Sequence, residues 1–257
     1  MFDESTGGLP RYRTKIRRLI PLAHREDIRV GVFGFTDRRR CYRGQPDHAK
    51  VLGAWQEYAD MGADLFFVDE ESGKDGLDIP VECAAYCDEL RSRFRLPVGI
   101  FFYGDASSGA LLVKMLAGHV DVIGEMSYSL YLDKPGEYGL ARVTKECSDA
   151  ARSVDAGVAY WSGAGIFGEK EFPGLPGTAI WRDRYGDRDE AGYFHDYLKA
   201  AIENGATGVY YHSLCRTTWW ADDRRARILA GIRKVFGELE REGGETSGRA
   251  GGEGHGS

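Results

Sequence analysis

Two apolar runs of this chain end in acids. The run LFFVD closes on Asp69 and continues into Glu70 and Glu71, and the run VDVIGEM carries Glu125. A carboxylate beside an apolar run is expensive to bury without a partner, so each acid needs a salt bridge or a chemical task. Two carboxylates at neighbouring strand ends suit glycosidic cleavage: one protonates the leaving oxygen and the other attacks the sugar or activates water. Asp69 and Glu125 are expected to be that pair, with exchangeable roles. Glu70 is the like-charged neighbour that raises the pKa of the acid. Clustered acids can also hold Mg²⁺ or Mn²⁺, which leaves a divalent-metal-dependent lyase or aldolase-type reading open.

Aromatic residues collect at the same strand ends. Tyr103 and Asp105 follow one apolar run, Tyr128 follows Glu125, Trp161 ends another run, and Tyr211 and His212 end the last, with Trp219 and Trp220 downstream. Trp and Tyr faces pack on the C–H faces of sugar rings while their polar tips bond hydroxyls. These residues are therefore expected to bind a carbohydrate substrate, with His212 holding a hydroxyl or orienting a carboxylate. Phe33, Phe66, Phe67 and Phe101 are assigned to an ordinary aromatic core. Arg38, Arg39 and Arg40 read first as a solvated loop; facing the mouth, Arg38 would favour an anionic ligand.

These positions are set by alternating strands and helices. Strands are expected over 28–35, 63–69, 97–103, 120–126, 156–161 and 206–212, all nearly continuous in Val, Ile, Phe and Tyr. That is the pattern of parallel strands covered on both faces. Weaker strands are expected at 16–22 and 177–181. Helices are expected over 47–61, 80–94, 108–118, 138–152, 190–204 and 222–240, the first capped by Asp47. Cys83, Cys87, Leu90 and Phe94 form one apolar helix stripe, which makes the two cysteines core residues rather than metal ligands. Together these elements predict an α/β fold, a (β/α)8 barrel with active groups at the carboxyl ends of its strands. The competing fold is an open doubly wound sheet. Gly163-Ala-Gly165-Ile-Phe-Gly168 is a literal GxGxxG, but EKEFPGLPG follows it and does not continue a helix, so a flexible βα loop is expected instead of a dinucleotide site.

Composition narrows the class. The 257 residues include 12 Phe, 14 Tyr, 5 Trp and 35 Gly, and the net charge is −6. The acidic balance argues against a nucleic-acid partner, and no apolar run is long enough for a membrane span, so no membrane partner is expected. No cofactor or metal site is expected from motifs. Residues 1–12 and the Gly-rich 243–257 are expected to be flexible around a single domain at 13–242. The amino-terminal stretch has no signal-peptide h-region, which suggests a cytoplasmic protein, or a secreted one whose leader has been removed.

Three stretches carry a family resemblance. RVGVFGFTDRRR with the following Trp and GADLFFVDEE, then VDVIGEMSYSLY, then GVYYHSLCRTTWW resemble the spherulin-4-like glycoside hydrolases and the related polygalactosaminidase-like barrels. The resemblance covers about half of the chain. It implies a (β/α)8 fold, hydrolysis of a galactosamine-containing polysaccharide, and Asp69 and Glu125 as the catalytic pair with Glu70 beside them. The loop 162–176 has no counterpart in that pattern. A carbohydrate-binding barrel without catalysis remains the alternative from a different class.

Overall fold

The computed structural model describes residues 10–35, 43–69, 78–102, 105–126, 132–133, 135–165 and 190–212, with short helical pieces between 230 and 241. Among the described residues are six strands: β1 (Gly31–Phe35), β2 (Leu65–Asp69), β3 (Val98–Phe102), β4 (Val122–Glu125), β5 (Ala159–Gly165) and β6 (Gly208–His212). The helices are α1 (Pro10–Arg25), α2 (His48–Asp60), α3 (Asp78–Phe94), α4 (Ala106–Leu116), α5 (Leu140–Val154) and α6 (Glu190–Glu203). The strands pair in parallel in the order β1-β2-β3-β4-β5-β6. Right-handed crossovers in an order that never reverses put every connecting helix on one face. This is the winding of a (β/α)8 barrel, whereas a doubly wound sheet reverses its order. The described residues supply six strands of such a circuit. The expected strand at 177–181 and most of the expected helix at 222–240 lie outside them.

The segment 16–22 forms part of α1, not a strand. Ile16 and Ile20, one turn apart, are buried at 2% and 1% exposure, while Arg17, Arg18 and Leu19 between them are exposed. The period of four that buries them is helical; the apolar composition of the run had masked it. Asp47 stands at the N-cap of α2, but its side chain makes no capping hydrogen bond. Cys83, Cys87 and Leu90 are fully buried on α3, as their stripe requires.

The turns from helix into strand share one device. The backbone N–H of Ile28, Ala63 and Ala206 donates to the carbonyl five residues back, at Ala23, Tyr58 and Ala201. The residue before each donor has positive φ: Asp27, Gly62 (94°) and Gly205 (102°). These are Schellman turns, whose left-handed residue is least strained when it is Gly. At the amino end of the sheet, side chains of the incoming strand grip the neighbour. Asp64 accepts from the Val30 N–H at 2.6 Å, Asp121 from the Val98 N–H at 2.8 Å, and Thr207 from the Tyr160 N–H at 3.0 Å. Burial pushes the Asp64 pKa up, but the Val30 N–H and His24 outweigh it and hold the carboxyl below its ordinary value.

Strand alternation sorts the core into two layers. Val32, Phe66, Val68, Ile100, Phe102, Ile123 and Tyr160 pack under the helices. Phe33, Leu65, Phe67, Phe101, Val122, Met126, Trp161 and Tyr210 form a second cluster on the opposite face, the one that becomes the interior of a barrel.

Candidate functional site

The interior face is paved with aromatic rings set over glycines. In the register, Phe67 faces Gly99 across β2–β3, Phe101 faces Gly124 across β3–β4, and Trp161 and Gly163 of β5 face Gly208 and Tyr210 of β6. A Cβ at Gly99, Gly124, Gly163 or Gly208 would come closer than 3.0 Å to the ring of Phe67, Phe101, Tyr210 or Trp161 respectively. The glycines therefore let each ring lie across the neighbouring strand. Phe67 and Phe101 stack with centroids 4.5 Å apart, Phe101 meets Tyr210 at 4.6 Å, and Phe67 meets Trp161 at 5.4 Å. Trp161 and Tyr210 are half-buried and form the more accessible part of this floor.

Gly163 and Gly165 of the apparent GxGxxG belong to β5, not to a loop. Their strand runs four residues further than expected, and Gly163 serves the packing of Tyr210. Small residues had read as loop because their partner ring lies 47 positions downstream in sequence.

Glu125 and Asp69 have opposite strand parities. In β4, Val122 belongs to the interior cluster and Ile123 to the layer under the helices; Glu125 shares the parity of Ile123. The residue is buried, at only 2% exposure. The Tyr160 hydroxyl donates to Oε2 at 2.5 Å, Thr144 of α5 reaches both oxygens at 3.2 and 3.4 Å, and the Ser162 hydroxyl lies 3.4 Å from Oε1. A buried carboxyl group is stable only with such partners. Burial first, and then the Glu125 charge, push the Tyr160 pKa well above that of an ordinary phenol. Burial and Glu125 likewise raise the Cys147 thiol on α5, which leaves it an unreactive core group.

The backbone of Glu125 looks the other way. Its carbonyl accepts the Tyr210 hydroxyl at 2.9 Å, on the interior face. A second tyrosine, Tyr197 of α6, donates to the Gly163 carbonyl at 2.9 Å and lies 3.4 Å from the Ser162 hydroxyl. One hydrogen-bonded group thus ties the carboxyl ends of β4, β5 and β6 to α5 and α6.

The backbone of Asp69 closes β2, in register with Phe35 and Phe101, and position 69 has the parity of Leu65 and Phe67. Position 212 in β6 has the parity of Tyr210, and position 211 that of Val209. The side chains of Asp69, Tyr211 and His212 lie outside the described residues, as do Arg38, Glu70, Tyr103, Tyr128, Trp219 and Trp220. Asp105, expected to bind substrate, stands at the N-cap of α4 and accepts the Ser108 N–H at 2.8 Å. Among the described residues, no three His, Cys, Asp or Glu side chains are grouped to hold a metal ion.

Phe67, Phe101 and Tyr210 were not expected to belong to the site, yet they build its floor. Their signal in the sequence is the combination of odd–even strand parity with a glycine at the facing position.

No protein-family model and no curated protein sequence matches this chain. Solved structures do share its fold. A modular endo-beta-1,4-mannanase from Cellulomonas fimi superposes with a TM-score of 0.51 at 15% identity, over 78% of this chain and 51% of the mannanase. An alpha-L-fucosidase candidate from Bacteroides thetaiotaomicron superposes with a TM-score of 0.51 at 12% identity, over 82% of this chain and 71% of that one. The chain spans about half the length of the mannanase structure. At these identities the likeness is one of fold: a singly wound parallel α/β sheet of TIM-barrel type.

Proposed function

We propose that this chain hydrolyses a glycosidic bond at the carboxyl end of its parallel sheet, in a galactosamine-containing polysaccharide. Asp69 supplies one carboxylate, with Glu70 beside it in sequence shaping charge or binding. The observation that carries the reading is the coincidence of Asp69, at the end of β2, with the parity of an aromatic floor. A floor of Phe, Trp and Tyr suits the apolar face of a sugar ring, and the strand end supplies the charge that an oxocarbenium-like transition state needs. Glu125 acts from behind the sheet. Its carboxyl group is occupied by Tyr160, Thr144 and Ser162, and its carbonyl orients Tyr210, so it is a positioning residue.

One observation favours a second reading, a carbohydrate-binding barrel without catalysis: the carboxyl group of Glu125 is engaged away from the interior face. Incubation with a galactosamine-containing polysaccharide separates the two. Hydrolysis yields new reducing ends that accumulate with time and enzyme concentration. Retention on the immobilised polysaccharide without new reducing ends supports binding alone.

A further inference from the structure

We propose that α1 docks the protein reversibly on an anionic lipid surface. Its sequence, PRYRTKIRRLIPLAHR, carries Arg11, Arg13, Lys15, Arg17, Arg18 and Arg25 and not one acid, in a chain whose net charge is −6. Ile16 and Ile20 anchor one side of the helix in the layer under the sheet. On the other side Arg18, Leu22 and Arg25, spaced by four and three residues, line up along the exposed face, with Arg17 and Leu19 exposed at its edges. Leu19 is 53% exposed and Leu22 49%.

An ordinary solvated helix of this protein looks different. On α5 the exposed charges alternate in sign and pair along the helix, as Arg142–Glu146 and Lys145–Asp149 do. On α1 cations alternate with leucines. A partner for that line must offer anionic and apolar character side by side along its whole length, which a lipid interface does: headgroups take the guanidinium groups and the acyl boundary takes the leucines. The exposed apolar area is small, so the attachment is electrostatic and sensitive to salt rather than an insertion. Among the described residues no helix is long and apolar enough to cross a membrane. Docking through α1, which packs in the helix layer, leaves the aromatic face of the sheet uncovered. Lack of an apolar span excludes a crossing helix and leaves surface docking by a basic helix open.

The test is sedimentation of the full chain with vesicles of phosphatidylcholine, with and without phosphatidylglycerol. Binding is expected only to the anionic vesicles and is expected to fall as salt rises. The triple variant R17Q/R18Q/R25Q should bind about a hundred-fold more weakly, roughly five-fold for each arginine neutralised. L19S/L22S should also weaken binding, with both variants keeping the wild-type circular-dichroism melt. Equal binding to neutral vesicles, no binding to anionic vesicles at low salt, or undiminished binding by the arginine variant would overturn the proposal. So would capture on polyglutamate without vesicle binding, which assigns the helix to an acidic polypeptide.

Discussion

The phenol of Tyr160 donates to Glu125 Oε2 across 2.5 Å, in the layer between the sheet and α5. Thr144 approaches the same carboxyl group from α5, and Ser162 approaches it from β5. Two elements, α5 and β5, therefore converge on one buried group of β4, and removing it takes away the acceptor that their hydroxyls share. E125A should destabilise the fold by about 2–5 kcal/mol, since it adds a cavity to unsatisfied hydroxyls. E125Q keeps the volume and should destabilise it less, by about 1–3 kcal/mol. Urea unfolding followed by tyrosine and tryptophan fluorescence measures both.

The aromatic floor depends on glycines with no Cβ. G124A drives a methyl group into the Phe101 ring, and G163A drives one into Tyr210. Each should lower stability by about 1–3 kcal/mol, the usual range for overpacking. The near-ultraviolet circular dichroism of the aromatic cluster should change with it. A control at Gly53, where a Cβ meets nothing within 4 Å, should leave both unchanged or slightly raise stability, because that site lies within α2.

His195 of α6 joins two acids, Asp196 through Nδ1 at 2.9 Å and Glu238 through Nε2 at 2.7 Å. The Asp196 hydrogen bond and then that of Glu238 raise the imidazole pKa, and His195 in turn lowers the pKa of Glu238. A raised histidine contributes stability below its unfolded pKa of about 6.5, and that contribution is lost as pH rises through the folded value. The lowered carboxyl contributes above its unfolded pKa, and its contribution is lost as pH falls through the folded value. The bridge is therefore strongest in mildly acidic solution. H195Q should lose stability relative to wild type mainly there, and the difference should shrink above neutrality; melts from pH 5 to pH 9 read it.

Much of this architecture is legible in the sequence, and the reasons for the rest are local. All six described strands overlap expected ones, because parallel strands buried on both faces leave continuous apolar runs. Segment 16–22 is apolar too, and only the burial of Ile16 and Ile20 on one side exposes its helical period. Gly163 reads as loop until Tyr210 is seen lying over it. Asp69 and Glu125 both look like strand-end acids, and both are. What composition does not carry is parity: one residue decides which face of a strand an acid takes, and a β4 that ends at Glu125 commits it to the helix side.

Catalysis by Asp69 is tested most directly by D69N and E125Q side by side, with the rate of reducing-end release from a galactosamine-containing polysaccharide and the melting temperature measured for each. The wild type should cleave, and D69N should lose at least about a thousand-fold in rate with its melting temperature unchanged, as expected for a group acting on the transition state. E125Q should melt earlier and keep a measurable fraction of its rate. A wild type that releases no reducing ends, or an E125Q that melts like wild type yet is as inactive as D69N, would contradict these roles.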